Sequence, residues 1–369
     1  MLRSLRLTAP AWRGPAPTRR SIAPRRAPAA VLAVLLVAAI ANGADKRAVT
    51  DGAGRHAEIP VRVDRVYTAG GPASILLYVL APDKMLGWMR APSPLERAYL
   101  SDAYAALPTL GRLTGRGNTA NVEVVIAARP DVILDYGSLT ATYTSLADRV
   151  QQQTGIPYVI FDGRLSAIPG ALVSVGDLLG VRERGAELAR YAERLLAETD
   201  RRVAAIPPDQ RPLVYYARGP KGLETAAAGS INVESLERLG ARIAAPAGTS
   251  GGLAAVSLEQ VLAWNPDVII ALESGFGGEA RVDPRWRQVK AVRDGRVYVV
   301  PQFPFPWIDF PPSVNRLIGL KWLGRALYPE RFRDDLRQET REFYALFYHR
   351  SPTDQQLDDL LGPLGRARP

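Results

Sequence analysis

The chain has 369 residues, 47% of them apolar and 23% charged, an ordinary globular composition with enough length for two compact lobes, each burying its own core. Without cysteine, an exported chain has to hold together by packing rather than disulfides. The formal charge of +10 includes seven arginines among the first 41 residues and falls to +3 without them, so basicity is no argument for nucleic-acid binding.

Those arginines (Arg3, Arg6, Arg13, Arg19, Arg20, Arg25, Arg26) precede an apolar stretch, Ala29 to Ala41, with no acidic residue before Asp45. This is the pattern of an export signal over residues 1–41, with Ala39-Ile40-Ala41 presenting small residues for cleavage near Asn42. Thr18-Arg19-Arg20-Ser21 leaves twin-arginine export open, and the stretch is short for a retained anchor. No cysteine stands at the cleavage site, so the expectation is a freely diffusing periplasmic protein rather than a lipoprotein. Residues 42–60 are polar and rich in small side chains, and read as a flexible leader.

From Val61, short apolar runs alternate with amphipathic ones, the signature of an α/β architecture. Val66-Tyr67-Thr68, Val132-Ile133-Leu134 and Tyr158-Val159-Ile160-Phe161 read as strands. Helices follow Gly70-Gly71, from Ala73 to Val79, and cover Thr144 to Thr154. These elements make a first α/β lobe over 61–163. Residues 164–206 carry no strand signal; Leu188, Tyr191, Leu195 and Leu196 recur at helical spacing, predicting one long helix from about Arg184 to Ala205, stopped by Pro207-Pro208. A second α/β lobe is expected over 207–329 and a helical extension over 330–369.

The second lobe repeats the first. Asn121-Val122-Glu123 through Pro130-Asp131-Val132-Ile133 matches Ser257-Leu258-Glu259 through Pro266-Asp267-Val268-Ile269 at an offset of 136. The run from Arg65 matches that from Leu213 at 148, and the run from Gly155 matches that from Gly295 at 140. Three matches in the same order indicate a duplicated lobe. Two such lobes on one rigid helix enclose a cleft suited to a small molecule, with little tilting on binding.

The paired helix-Pro-Asp-Val-Ile units, the bridging helix and the export signal together resemble the iron-siderophore and cobalamin periplasmic binding protein family, over about residues 61–361. Thr109-Leu110-Gly111 leading to Asn121-Val122-Glu123 carries the likeness most strongly. Trp307-Ile308-Asp309-Phe310-Pro311-Pro312-Ser313-Val314-Asn315-Arg316, with Glu342 through Tyr348, resembles a branch associated with iron complexes. The resemblance implies a class III fold: two Rossmann-like lobes joined by a single long helix, ligand between them. It also implies a monomer that serves an inner-membrane ABC permease dimer and its ATPase, and it assigns Glu123 and Glu259 to permease docking. Each glutamate lies in a helical first turn, off the apolar stripe of Val122, Val125 and Ile126 or of Leu258, Val261 and Leu262; the plainer role is to complement the helix dipole.

Two histidines, His56 and His349, near opposite ends and no cysteine cannot build a shell for bare zinc or manganese. A metal would arrive inside a chelator: a ferric siderophore first, with haem, cobalamin or a small nickel or cobalt chelate as alternatives. Aromatic walls and arginines would receive it. The candidates are Arg112, Arg116, Tyr136, Arg218 and Trp307, with Phe303 and Phe305 sharing Trp307's loop; as plain structure, the arginines would be solvated and the tryptophan packed. Gly70-Gly71 and Gly251-Gly252 lack the lysine of a phosphate loop and read as turns. An exported hydrolase is the main competing class, and it lacks a well-placed histidine base; a periplasmic sensor on the same fold is the third. No cofactor, catalytic residue or resident metal is expected.

Overall fold

The computed structural model describes residues 45–115, 121–245 and 253–365. The expected export signal and Arg116 lie outside the described residues. The described residues form one compact unit.

The chain enters through an antiparallel hairpin, β1 (Lys46–Thr50) with β2 (His56–Pro60), Thr50 opposite His56. This corrects the flexible-leader expectation for residues 42–60. His56-Ala57-Glu58-Ile59 alternates exposed and buried side chains, a period-two signal, and the turn docks on the body. Gly52 N–H donates to Ile160 O at 2.8 Å, and Ile160 N–H donates to the buried Asp51 carboxylate at 3.2 Å.

The first lobe follows: β3 (Val66–Thr68), α1 (Gly71–Leu80), the single turns α2 (Pro94–Arg97) and α3 (Asp102–Ala105), α4 (Val122–Ala128), β4 (Val132–Gly137), α5 (Ala141–Thr154) and β5 (Tyr158–Asp162). Its parallel sheet has the order β3-β4-β5. Two helices then lead onward, α6 (Ile168–Leu178) packed against α7 (Arg182–Ala204). The bridge is thus a helical pair, its long member running about 35 Å at 1.5 Å per residue. Leu188, Ala192, Leu195, Leu196 and Val203 give α7 its buried stripe.

The second lobe comprises β6 (Leu213–Ala217), β7 (Glu224–Ala226), α8 (Glu234–Arg238), β8 (Arg242–Ile243), β9 (Leu253–Ala255), α9 (Leu258–Trp264), β10 (Val268–Ala271), α10 (Ser274–Val282), α11 (Lys290–Arg293) and β11 (Val297–Val299). Its parallel sheet runs β11-β10-β6-β8, beside a two-stranded β7-β9 ladder. After a loop over 300–315 come α12 (Arg316–Leu327), α13 (Leu336–Tyr348) and α14 (Asp354–Leu361). The C-terminal helices return to the first lobe, where the Tyr78 hydroxyl of α1 donates to Tyr348 O at 2.9 Å.

The duplication holds in register. Val66 stands opposite Val132 as Val214 stands opposite Val268. In both lobes the Pro-Asp carboxylate clamps the first strand's start: Asp131 accepts from Arg65 N–H and Asp267 from Leu213 N–H, each at 2.8 Å. Both preceding helices stop on a residue at φ 45°, Arg129 and Asn265, because the following proline disfavours further helix. The third match is displaced by one residue. Ile133 faces Tyr158, whereas Ile269 faces Val297 rather than Tyr298.

Alternation along the strands splits the core. Val66, Val132, Leu134, Val214, Tyr216 and Val268 face one continuous core shared with α1, α6, α7 and α12, while Tyr67 and Ile133, and Tyr215 and Ile269, face separate outer clusters. Helices α4 and α9 cover those outer faces with Val125 and Val261. The apolar stripes expected on them are narrower than predicted: Val125 and Val261 are their buried side chains, and Ile126 is exposed.

Candidate solute-binding site

In open parallel sheets, ligands sit outside the carboxyl ends of the strands. Here those ends are bridged by the loop over 300–315. On the first lobe's side, Ser313 Oγ donates to Pro72 O at 2.9 Å. Pro311 lies so close to Gly71 that a Cβ there would come within 2.9 Å of its ring and 3.0 Å of Met89 Cε; only glycine fits without movement. On the second lobe's side, Asp309 is buried and collects donors: the Arg218 guanidinium, Asn232 Nδ2 at 2.8 Å, Tyr216 OH at 3.3 Å and Phe310 N–H at 2.7 Å.

A second junction lies beside the first. Arg316, with no exposure, donates to Glu234 Oε2 at 2.7 Å, to Ser313 O at 3.2 Å and to Gly163 O. The same Glu234 oxygen accepts from Leu165 N–H at 2.8 Å. A side chain at the head of α12 therefore joins α8 of the second lobe to the segment leaving β5 of the first. Burial resists ionisation of Asp162 nearby, yet Arg164 outweighs it and holds the carboxyl below its usual range.

The sequence candidates meet different fates. Arg218 follows β6 as expected but is only 4% exposed. Its charge is answered by Asp309 and, at 3.6 Å, by Glu224, so it fixes the loop rather than standing open to solvent. Tyr136 lies within β4, not after it, and is buried; burial pushes its phenol up to about 12, against the nearby Arg316 charge. Arg112 is half-buried in the turn beside Gly115. The structure thus groups Arg218 and Tyr136 with the two junctions.

Trp307 is a correction. It has no exposure, and its indole N–H donates to the Tyr344 hydroxyl at 3.1 Å. Its loop is flanked by prolines, yet Gly319 of α12 admits the loop backbone: a Cβ there would sit 2.1 Å from Trp307 O. Phe303 and Phe305 also pack, against Tyr99 and against Tyr78, Trp88 and Tyr348. Sequence reasoning missed Asp309, Phe310, Asn232, Glu234 and Arg316. An acid and an arginine inside an otherwise apolar Pro-rich stretch were the available signal.

Glu123 and Glu259 are exposed and occupy the second position of α4 and α9. Hydrogen bonds from its own backbone N–H and from Ser257 hold the Glu259 carboxyl below its usual range. The histidines are otherwise engaged, His56 with the Thr50 hydroxyl at 3.0 Å and His349 with Tyr78 O at 3.1 Å. A Gly-x-Ser-x-Gly pattern does occur, Gly248 to Gly252, outside the described residues. A surface depression of about 940 Å³ borders Arg47, Lys84 and Arg184, lined by residues that precede β3 and that join α6 to α7; these cations pair with Asp177, Asp64 and Glu187.

A family model described as periplasmic binding protein matches residues 66–303. The chain belongs to this family. The molybdate-binding protein MolA of Haemophilus influenzae is 26% identical over 356 residues, covering 88% of this chain and 95% of MolA. An ABC transporter solute-binding protein from Sulfurospirillum deleyianum superposes with a TM-score of 0.78 at 29% identity, over 85% of this chain and 98% of that one. The structure of MolA bound to molybdate superposes at 0.70 and 24% identity, over 83% of this chain and 99% of that one. This periplasmic binding protein has the class III fold, with parallel-sheet lobes, and is a solute-binding protein of an ABC transporter. The family is one of periplasmic binding proteins, and MolA is the cognate molybdate-binding protein of an ABC transporter.

Proposed function

We propose that the protein captures a metal in anionic form, a molybdate-type oxyanion foremost, and hands it to its permease through Glu123 and Glu259. One observation carries the choice of a small solute. The rings that sequence offered as walls for a siderophore or haem, Trp307, Phe303 and Phe305, pack against Tyr344, Tyr99 and Tyr78. An organic shell of that size would lose the apolar contacts it needs. The molybdate-binding relative, matched along nearly its whole length, supports the same reading. A ferric chelate, the solute anticipated from sequence, is the second reading, and the exposed ring of Phe310 favours it.

A thermal-shift panel tests this. A solute bound only by the folded state adds about 2.7 kcal/mol at a hundredfold excess over Kd. Sodium molybdate or tungstate should raise the melting temperature by several degrees. A shift with ferric 2,3-dihydroxybenzoate or haem but not with the oxyanions reverses the order of the two readings.

A further inference from the structure

Phe310 combines exposure, strain and fixation. It is 61% exposed, although a large ring in a protein loop is ordinarily drawn into the core. Its φ is 63°, a left-handed conformation that is an outlier for a bulky residue. The backbone is held there from both lobes. Asp309 grips its N–H at 2.7 Å while locked to Arg218, Tyr216 and Asn232. The next residue, Pro311, is wedged against Gly71 at the head of α1, just after β3. The Arg218 guanidinium carbon lies 5.8 Å from the ring centroid. The ring therefore stands between the ends of β3 and β6, the first strands of the two repeats.

Strain that surrounding structure imposes at one residue is evidence for a role of that residue. Here a buried acid, its arginine and a glycine cleared for a proline all serve to present one exposed ring at the seam. We infer that Phe310 is a solute contact, the apolar wall that covers a bound metal-bearing anion and shields it from water. The ring excludes solvent from the anion's hydrogen bonds, which strengthen in the drier surroundings. Arg218 and Asp309 act through it as positioning residues. This rests on the proposed solute-binding function and adds to it the residue that governs retention and choice of solute.

Isothermal titration of the purified protein with sodium molybdate, and separately with ferric 2,3-dihydroxybenzoate, tests the inference. For whichever solute binds, Phe310→Ala should weaken affinity about tenfold, equal to 1.4 kcal/mol, and Phe310→Tyr should stay close to the original. Phe310→Gly should weaken binding as much while the melting temperature of the solute-free protein holds or rises, since glycine adopts positive φ without strain. Undiminished binding in both the alanine and glycine variants overturns this inference alone. Binding of neither solute by the unaltered protein overturns the solute reading and this inference with it.

Discussion

The guanidinium of Arg316 and the carboxylate of Glu234 form an ion pair, Nη1 to Oε2 at 2.7 Å, that also reaches the first lobe at Gly163 O and Leu165 N–H. Arg316 has no contact with water, so removing either partner strands a buried charge or acceptor. Such losses cost about 3–5 kcal/mol. Arg316→Ala should lower the urea midpoint strongly, whereas Arg164→Ala, an exposed arginine beside Asp162, should leave it almost unchanged, since surface ion pairs contribute little. Equal small effects would remove the junction from the account.

Trp307 separates packing from binding. Truncating a buried tryptophan costs about 3–5 kcal/mol, and here it also leaves the Tyr344 hydroxyl without its donor. Trp307→Ala should therefore destabilise the solute-free protein, and Trp307→Phe, which keeps most of the volume, should retain solute affinity. A Trp307→Phe variant that folds normally and binds no solute would restore this side chain to the site.

Much of the fold is legible in the sequence, for local reasons. Each buried strand is a short apolar run between turn residues, and the Pro-Asp units mark both helix stops because a proline and a strand-clamping acid act within a few residues. What is missed depends on distant partners. Trp307 is buried by Tyr344 and Gly319, Phe303 by Tyr99, and no local pattern shows that α13 will return to them. The one-residue shift between Tyr158 and Val297 arises because matching letters follow Tyr298, while the parallel ladder follows backbone pairing. The hairpin over 46–60 is overlooked because its apolar residues, Ala48, Val49, Ala57 and Ile59, are few and mostly small. At the site, Arg218 is legible as a residue after a strand, but its neutralisation by Asp309, far along the chain, is not.

Asp267 gives a pH test of the repeated clamp. Burial alone would raise its pKa, but Lys290 at 2.6 Å and the Leu213 N–H outweigh that and hold it below 3.8. A depressed carboxyl stabilises the fold above its unfolded value of about 3.9 and loses that contribution as pH falls through the folded value. Asp267→Asn should therefore cost about 1 kcal/mol at pH 7, and the gap from the unaltered protein should close below about pH 4. A gap that persists unchanged at pH 2.5 contradicts the ionic part of the clamp.

Glu123 and Glu259 are exposed first-turn residues of equivalent helices, so reversing their charge should leave packing nearly untouched, with only a small loss of favourable charge at each helix N-terminus. The double variant Glu123→Arg, Glu259→Arg should bind solute normally yet fail to stimulate solute-dependent ATP hydrolysis by the reconstituted permease and ATPase. Full stimulation would leave the two glutamates as helix-end charges and nothing more.

The most direct measurement is a count of metal per chain. The purified protein is equilibrated by dialysis against micromolar sodium molybdate and ferric 2,3-dihydroxybenzoate together, and the elements retained inside are quantified. One molybdenum per chain, displaced by excess tungstate, is the predicted result, with one iron in its place under the second reading. Neither element retained above the level of the dialysis buffer would contradict the capture of an anionic metal between these two lobes.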